Sequence, residues 1–588
     1  MKQKILCLLI ISSLLIGQLL LSPLCLEREE RLIEIDREKY MQRIDDLLTN
    51  WLGYGRGETG LFYIWMNAST NKPKPGFCQV SGEYIPYEAD TEEFKLPLAL
   101  WYTWLLTGNE TCKEGCERAV DAWWEYAIDS KTDLAAAGFR WGYGGGVDAR
   151  TGEWNEPEIV HWYAIPQAAL FGHWREYMFS CKSAYDRLII ETKGWLYPSV
   201  RGIWAKNENI ALPKAKEDVD GCYYGDFVVT FILPLWAETH DTGYVDVADE
   251  ILGQFMELEN KKTGLYPTSL RENREATIKK GLTDWYDTAF IESTVSNMIL
   301  YEVSNHGPLH EKVCKDIDTV IEKCWNAEEQ RPYRVVNTLT GEGKGLLDWW
   351  TEYCFVYAFL QRYHETDDEK YLMYAELLGQ NYLDAKERIA RGEAFRPNEL
   401  ANAGMVLLNL YQWTGKEEYL EGAIWLGDYI VENGFYDNGW LKFWTANWED
   451  EKDVNGWTTA DCHMTAWTVQ FLLSLAYETF MPDWMMWEHL VGINSPYTLT
   501  NGCLELGDYE LNYERKDIVF SLTAAKTSSA EVYVNVPYSW NGGRVLLNGR
   551  EIPFEEQVLS ARKYVVIRTN FQTDSNTVRV DYKPFGGG

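Results

Sequence analysis

Apolar and polar positions follow a helical period over most of the chain, in two alternating kinds of segment. In one kind nearly every position is apolar or aromatic, which is typical of a helix that is buried on all sides. The apolar segments span 93–107, 160–178, 226–240, 288–304, 349–364, 397–414 and 461–479. The other kind is amphipathic and charged, at 115–129, 182–195, 244–260, 308–325, 368–389 and 417–434, and a further amphipathic helix is predicted over 30–51. Two concentric layers of helices satisfy both patterns.

Four segments share one layout: the end of an apolar helix, a short turn with Thr-Gly or Thr-Asp, and the start of a charged helix. Glycine suits the left-handed position that closes the first helix of such a pair. Repetition of this kind is the signature of an architecture built from one repeated unit. The segments are "LWYTWLLTGN" (100–109), "LPLWAETHDTGYVDVADEIL" (233–252), "FLQRYHETDDEKYLMYAELL" (359–378) and "LLNLYQWTGKEEYLEGAIWL" (407–426).

This repeated hairpin resembles those of the six-hairpin glycosidase-like superfamily, the α/α-toroid carbohydrate-active enzymes. The best example is "LYQWTGKEEYLEGAIWLGDYIVENG" at 410–434. The resemblance covers roughly 30–480 and rests on the repeat pattern, not on a catalytic motif. It implies a mostly α chain that forms an (α/α)6 or (α/α)7 toroid of paired inner and outer helices. Terpene cyclases and N-acylglucosamine epimerases also use helical toroids, so the fold leaves the substrate open.

From about residue 490 the pattern changes to strict alternation, as in "DIVFSLTAAKTSSAEVYVNVPYSW" and "NTVRVDYKPF". Alternation with a period of two predicts half-buried strands. The sequence therefore predicts three regions: a leader at 1–26, a toroid domain at 27–489 and a small C-terminal β-sandwich at 490–588.

The N-terminus predicts export. Lys2 and Lys4 precede an apolar run over 5–21, and an acidic stretch follows at 27–30. A charged start, an apolar middle and a polar flank make a secretory signal peptide, and the run is also long enough for an uncleaved anchor. An extracellular or cell-surface location is expected in either case.

Composition narrows the choice of partner. The chain of 588 residues has 55 Lys and Arg against 89 Asp and Glu, a formal net charge of −34. Such a charge argues against nucleic acid and against an anionic membrane surface, because both are bound through Lys and Arg. The chain also has 27 Trp and 37 Tyr, whose flat rings suit both large helical cores and the faces of sugars. An oligo- or polysaccharide is therefore the expected partner.

Long connections gather on one face of the predicted ring, because they all run from a charged helix to the next apolar one. Loops of this length inside a compact domain are usually functional, so the site is expected on this face. The connections on the opposite face are short. The long loops are 52–92, 130–159, 196–225, 261–287, 326–348 and 435–460.

Acidic residues beside Trp and Tyr recur where these loops end. Glycoside hydrolysis needs two carboxyl groups across the bond, and we expect Asp287 and Asp348 to supply them, with Glu352, Asp226 and Asp461 as substitutes. Asp90, Asp287 and Asp461 are equally explained as helix N-caps. The substrate-binding candidates are Trp285, Tyr286, Trp349, Trp350, Tyr224, Trp457, His161 and His463.

Two other functions fit the same residues. A polysaccharide lyase or uronyl C5-epimerase would use a Tyr or His as base, with Arg140, Arg201 or Arg396 holding the substrate carboxylate. A glycan-binding protein of the cell envelope would use the aromatic groove without catalysis. No HExxH, EF-hand or Cys/His cluster occurs, so the sequence implies no metal and no cofactor, although loop carboxylates leave calcium open.

Overall fold

A computed structural model places the chain in two compact units, Met1–Asp36 and Arg37–Gly588. The predicted leader lies outside the residues that the structure describes, and nearly all described residues belong to the second unit. None of the described helices combines the length and the apolar character that a membrane crossing needs. The structure describes residues 35–78, 83–91, 95–136, 146–156, 158–161, 174–191, 203–205, 218–220, 222–271, 285–347, 349–444, 458–478, 480, 497–498, 504–512, 517–524, 527–559 and 561–584.

Helices dominate the chain as far as residue 477, as predicted. Long helices follow one another through short turns on one side and long connections on the other. In chain order they are α1 (Arg37–Gly53), α2 (Lys95–Thr107), α3 (Glu110–Tyr126), α4 (Trp174–Glu191), α5 (Cys222–Phe227), α6 (Leu233–Thr239), α7 (Thr242–Met256), α8 (Ile291–Ser304), α9 (Gly307–Lys323), α10 (Trp349–Thr366), α11 (Glu369–Leu383), α12 (Ala385–Ala390), α13 (Pro397–Thr414), α14 (Glu417–Asn433) and α15 (Cys462–Tyr477).

The helices pair as inner and outer partners. The inner helices α2, α6, α8, α10 and α13 pack against α3, α7, α9, α11 and α14, the helices that follow them in the chain, and α15 packs against α1. Inner helices also contact one another in order: α5 with α8, α8 with α10, α10 with α13, and α13 with α15. The last inner helix, α15, then packs against the first, α2, so the two ends of the helical region meet.

The turn after each inner helix has one repeated geometry. The residue after the helix is left-handed: Gly108, His240, Asp367 and Gly415 have φ of 71°, 51°, 54° and 65°. The preceding Thr donates its hydroxyl to the carbonyl four residues back, as Thr414 does to Leu410 at 2.7 Å. The glycine role expected of these turns is therefore confirmed at two of them, while His and Asp adopt the same conformation at the others.

Pro234 explains a π-helical turn at Val228–Ile232, which joins α5 to α6. Proline has no N–H, so the carbonyl of Thr230, four residues earlier, loses its helical partner. The Tyr177 hydroxyl donates to that carbonyl at 3.2 Å and the Cys181 thiol lies 3.4 Å from it. Two side chains of α4 thus replace the hydrogen bond that the Thr230 carbonyl loses because of Pro234.

Two predicted boundaries are wrong. The apolar segment 160–178 is not one helix, because 159–161 form a strand and α4 begins at Trp174, while 162–173 lie outside the described residues. The charged segment 368–389 is split into α11 and α12 at Asp384.

Short antiparallel strands occur in the long connections, and longer ones fill the C-terminal region. β1 pairs with β15 and β2, and β11 with β13. The strands are β1 (Trp65–Asn67), β2 (Lys72–Pro73), β3 (Gly76–Cys78), β4 (Glu83–Ile85), β5 (Ile128–Asp129), β6 (Leu134–Ala136), β7 (Ile159–His161), β8 (Ile203–Ala205), β9 (Asp218–Asp220), β10 (Ser269–Arg271), β11 (Trp285–Asp287), β12 (Trp325–Asn326), β13 (Arg331–Asn337), β14 (Gly343–Leu346), β15 (Thr459–Asp461), β16 (Tyr497–Thr498), β17 (Leu504–Asn512), β18 (Asp517–Ala524), β19 (Ser528–Asn535), β20 (Trp540–Leu547), β21 (Arg550–Ile552), β22 (Glu555–Leu559), β23 (Arg562–Phe571) and β24 (Asp574–Pro584).

The C-terminal strands form two antiparallel sheets, in the orders β16-β19-β23-β22 and β17-β18-β24-β20-β21. Their alternating apolar residues meet in one buried cluster, to which Ile518 and Phe520 contribute from one sheet and Val534 and Ile567 from the other. The period-two pattern in the sequence thus corresponds to the buried side of each sheet.

The turn between β22 and β23 inserts among the inner helices, at the ends where their short connections lie. Ala561 accepts a hydrogen bond from the Trp413 indole at 2.6 Å and donates its N–H to Gln361 at 3.1 Å. Arg562 is 1% exposed and lies over the rings of Phe480 and Tyr357, at 4.7 Å and 5.6 Å. The C-terminal sheets therefore close this end of the helical region, opposite the long connections.

Replacement of Arg562 by alanine should destabilise the whole protein. The substitution removes the contacts of the guanidinium with two aromatic rings and leaves a cavity where the side chain was. We expect a cost of about 2–4 kcal/mol, seen as a lower Tm in calorimetry. Arg544 of the same sheets is the matched control, since its side chain is exposed and pairs with Asp581 at 2.7 Å. Equal Tm values for Arg562→Ala and Arg544→Ala would contradict this account of the closure.

Candidate functional site

Each inner helix presents one stripe of side chains away from its outer partner, here called its inner stripe. On α15 the outward side is marked by Thr465, which accepts the Trp51 indole N–H of α1 at 2.9 Å, and by Leu475, which packs against Gly427 of α14. The inner stripe of α15 is therefore His463, Trp467, Gln470 and Ser474. On α10 the same reasoning gives Tyr353, Tyr357 and Gln361, because Phe359 faces Tyr374 of α11.

Trp467 is the centre of the contacts between these stripes near the long connections. Tyr353 meets it edge to face at a ring distance of 6.2 Å, and the Lys95 ammonium of α2 lies 4.3 Å from the centre of its ring. The three residues come from α15, α10 and α2, which are not neighbours in sequence. All three are 3–5% exposed, so a buried aromatic and cationic cluster, here called the Trp467 surface, is assembled where these helices begin.

His463 is held in one tautomer by Trp467. The indole Nε1–H donates to Nε2 of His463 at 3.0 Å. Because an indole only donates, Nε2 carries the lone pair and the proton of the neutral ring is on Nδ1. His463, a residue predicted to bind substrate, is thus brought to the Trp467 surface as a neutral imidazole.

Asp461 ends β15 and caps α15. One carboxylate oxygen accepts the N–H of Met464 at 2.9 Å, and the other accepts the indole N–H of Trp65 at 2.7 Å. The Lys74 ammonium lies 5.1 Å from the Trp65 ring and donates to Thr459 at 2.9 Å. Burial lowers the pKa of Lys74 to about 8, against the opposite effect of Asp461. Asp461 is therefore both the N-cap that the sequence allows and a half-buried carboxylate beside a tryptophan and a lysine.

Asp287 ends β11 and caps the short 3-10 turn Thr288–Phe290. Its Oδ1 accepts the N–H of Ala289 at 2.9 Å, and its Oδ2 lies 3.4 Å from a guanidinium nitrogen of Arg334. It is half-buried, so one side of the carboxylate faces outward. The N-cap alternative is correct for Asp287 too, and its second oxygen faces the guanidinium of Arg334.

Glu352 is corrected as a catalytic candidate. It is 0% exposed and forms a bidentate ion pair with Arg331, which also donates to the carbonyl of Leu347 at 2.6 Å. A buried carboxylate in this geometry is the charge partner of the guanidinium and is surrounded by its donors. Glu352 joins β13 to α10 and is structural.

Tyr286 and Tyr224 are corrected as sugar-binding candidates, since both are fully buried. Tyr286 donates to the buried carboxylate of Asp316 at 2.7 Å, which also accepts from Thr294 at 2.5 Å and from Tyr266. Burial raises the pKa of Asp316, and these hydrogen bonds oppose the shift. Tyr224 donates to the carbonyl of Ala248 at 2.5 Å. Tyr224 therefore joins α5 to α7, and Tyr286 joins β11 to α9.

Trp349 is corrected as well, because it packs away from the inner stripe, against Tyr382 of α11, Phe395 and the guanidinium of Arg388, which lies 4.4 Å from its ring. Trp285 fits its predicted role better: it is half-buried, and the Lys344 ammonium lies over its ring at 4.7 Å. Asp348 and Trp457 lie outside the described residues, and the side chains of Asp226, Trp350 and His161 are not described.

Sequence reasoning missed Lys95, Trp467 and the pair Trp65–Lys74, whereas Tyr353 was among the tyrosines expected as base of a lyase or epimerase. Lys95 and Trp467 lie inside segments that look like uniform apolar helices, so the pattern gives only a weak signal. The signal in Lys95 was a charge near the start of an otherwise apolar segment, 93–107. Trp65 and Lys74 belong to a loop, where no periodicity relates them to Asp461.

A metal site is not supported by the one described group with suitable donor atoms. Atoms of His310, Cys314 and Glu365 lie within 4.8 Å of one another. The Glu365 carboxylate, however, already accepts from Arg362 and Tyr301, each at 2.5 Å. Although burial opposes it, these bonds hold the pKa of Glu365 below its usual value. The guanidinium of Arg362 thus already pairs with the carboxylate that a metal cation would need as a ligand.

Comparisons with known proteins give a distant likeness. No protein-family model matches the chain, and no curated protein matches it. Solved structures similar to it include an unsaturated glucuronyl hydrolase from Bacillus sp. (9% identity, 75% of this chain and 96% of the other, TM-score 0.38). Others are an inactive variant of an α-1,6-mannanase of Salegentibacter sp. in complex with α-1,6-mannotriose (11%, 74% and 99%, 0.39) and a cellobiose 2-epimerase from Bacillus thermoamylovorans (12%, 74% and 98%, 0.37).

These solved structures are of the six-hairpin glycosidase-like superfamily that the sequence resembles. With TM-scores and identities this low, the likeness carries no argument about the chemistry of this chain, which has to be inferred from its own residues.

Breaking the Arg331–Glu352 pair should affect stability rather than catalysis. Glu352→Gln leaves a buried guanidinium without its charge partner, and we expect a loss of about 3–5 kcal/mol in the free energy of unfolding. The double variant Arg331→Met with Glu352→Leu removes both charges, so its free energy of unfolding should fall less than that of Glu352→Gln. Activity per folded molecule should stay unchanged in Glu352→Gln, and its selective loss would restore Glu352 as a catalytic candidate.

Lys74 should make stability depend on pH above neutrality. Its pKa in the folded state, about 8, lies below the 10.5 of an ordinary lysine, so the unfolded chain binds the proton more tightly. The resulting penalty is fully present below pH 8 and is relieved as pH rises towards 10.5. Lys74→Met should therefore be stabilised relative to wild type. The gain in the free energy of unfolding should be larger at pH 7 than at pH 10 by up to about 3 kcal/mol. The same difference in Tm at both pH values would contradict the shift.

Proposed function

We propose that the chain is an exported α/α-toroid enzyme that acts on carbohydrate, and that it is a glycoside hydrolase. The observation that carries the proposal is the surface around Trp467, where Tyr353, His463 and Lys95 meet at the beginnings of three inner helices. Aromatic rings with a few convergent polar groups are what a sugar site requires. The half-buried carboxylates of Asp287 and Asp461 end strands of the long connections, on the same face.

The chemistry would use one carboxyl group as acid and another as base or nucleophile. An acid that protonates the leaving oxygen needs a raised pKa, which an apolar aromatic surrounding supplies. Asp287 and Asp348 remain the proposed pair, with Asp461 and Asp226 as substitutes, and Glu352 is withdrawn. Asp287 and Asp461 each use one oxygen as a cap, so the direction of the other is fixed by the backbone. Fixed direction is what positioned catalysis needs.

Architecture and location are part of the same proposal. The order of helix contacts, with α15 returning to α2, supports a toroid, and the shared cluster of the two C-terminal sheets supports a β-sandwich that closes one end. Export is proposed from the sequence of residues 1–26 alone.

A lyase or epimerase is the second candidate, and one observation favours it. Tyr353, whose phenol is of the type that such enzymes use as base, lies edge to face against Trp467 beside Lys95, whereas Nε2 of His463 already accepts the Trp467 N–H. Both enzymes abstract a proton beside a substrate carboxylate, which Lys95 is suited to bind by charge.

Activity on a panel of neutral and uronic-acid glycans separates the candidates. New reducing ends without absorbance near 235 nm would support hydrolysis. Absorbance near 235 nm would replace it with a lyase, and uptake of deuterium from solvent without cleavage would replace it with an epimerase. Binding with none of these would leave a glycan-binding protein.

Asp287→Asn and Asp348→Asn are the decisive variants for hydrolysis. Asparagine caps a helix as well as aspartate does, so Asp287→Asn keeps the bond to Ala289 and removes only the charge. We expect kcat to fall by about 10²–10⁴-fold with little change in Tm. Asp241→Asn is the matched control, because Asp241 caps α7 in the same way, through Gly243 at 2.9 Å, on an outer helix. Unchanged kcat in both variants would remove the proposed pair.

A further inference from the structure

The inner stripe of α13 carries amides where the other side of the same helix is apolar. Its outward side is marked by Leu407, which packs against Gly422 of α14, and by Leu410, which packs against Gly379 of α11. At 100° per residue the opposite side holds Asn398, Asn402, Met405, Asn409 and Gln412. Gln412 confirms the direction, since its Oε1 accepts from Lys563 in the turn that closes the far end.

Asn398 and Asn402 are buried but incompletely bonded. Each is 2% exposed. Within the part of the chain that the structure describes, Oδ1 of Asn398 and both amide atoms of Asn402 have no hydrogen-bond partner. Buried polar atoms are almost always paired, and leaving them unpaired costs free energy. A protein core would use leucine here, so these amides point to a partner outside the described protein atoms.

Their place in the helix is level with the Trp467 surface. Helix α13 packs between α10 and α15, which supply Tyr353 and Trp467. Asn398 and Asn402 lie in the first two turns of α13, as Tyr353 does in α10 and His463 and Trp467 do in α15. Asn398, Asn402 and the Trp467 surface therefore lie at the same height along the inner helices.

We propose that Asn398 and Asn402 bind the hydroxyl groups of a neutral sugar unit placed against Trp467. An amide offers a donor and an acceptor side by side, and so do two neighbouring sugar hydroxyls. Two such amides one turn apart match a ring face with several hydroxyls, whereas a carboxylate only accepts and would leave their Oδ1 atoms without a donor. This inference rests on the proposed function and names the class of sugar at that site.

The test is the shift in Tm that sugars produce. Wild type, Asn398→Leu, Asn402→Leu and Asn409→Leu are melted with and without glucose, mannose, galactose and glucuronate, each at saturating concentration. Asn409 is the matched control, because it is fully buried on the same stripe, also has unpartnered amide atoms among the described residues, and lies two turns deeper. Asn402→Ser is the second variant in case leucine does not fit, with circular dichroism to establish folding.

We expect a neutral sugar to raise the Tm of wild type more than glucuronate does. Asn402→Leu and Asn398→Leu should melt no lower than wild type without sugar, since each replaces an unpaired polar group by an apolar one, and should lose affinity at least about 10-fold. Asn409→Leu should keep the full shift.

Three outcomes would overturn the inference. If sugar raises the Tm of Asn398→Leu, Asn402→Leu and Asn402→Ser as it does that of wild type, the amides do not bind it, while the proposed function stands. If only glucuronate binds, the sugar class is wrong. If no sugar in the panel and no oligosaccharide in the activity screen affects wild type, the proposed function fails together with the inference.

Discussion

Contact between the last inner helix and the first is the constraint on which the rest of the structure depends. Helix α15 packs against α2 and α1, and β15, which leads into it, pairs with β1 from the other end of the helical region. The inner helices are thereby made to face one another as well as their outer partners. Their inner stripes, which would be solvent-exposed in an open array, face one another, and residues as distant in sequence as Lys95, Tyr353 and Trp467 come into contact.

The buried polar groups discussed above fall into two classes, those with all their hydrogen bonds formed and those with unpartnered atoms. Glu352 with Arg331, and Asp316 with three hydroxyl groups, are buried and satisfied, so they fasten one element to another. Asn398, Asn402 and Asn409 are buried with unpartnered amide atoms in the described protein. The satisfied groups lie between inner and outer layers or beneath the loops, whereas the amides lie on an inner stripe. Satisfied buried groups thus mark structural contacts, whereas an unpartnered amide is a candidate for the site only where it also lies level with Trp467, as Asn398 and Asn402 do and Asn409 does not.

The sequence allowed the helix pairs, the repeated turns and the change to strands to be predicted, because each is a local pattern: a period of 3.6, a period of two, or Thr followed by a left-handed residue. It could not distinguish a half-buried carboxylate from one in a fully buried ion pair. Glu352 and Asp287 have the same acidic-aromatic surroundings in sequence, yet only the fold places Arg331 against the first. Aromatic residues were ambiguous for the same reason: Trp349 packs outward and Trp467 inward, although both lie near the start of an apolar helix.

The central claim is that the inner stripes near the long connections bind carbohydrate. Hydrogen–deuterium exchange, with and without the sugar that raises Tm most, tests it most directly. We expect slower exchange in the first turns of α2, α10, α13 and α15 together, and no change in the C-terminal sheets or in the outer helices α3 and α9. Protection confined to the C-terminal sheets or to an outer helix would contradict the claim, since the ligand would then be bound away from the inner stripes.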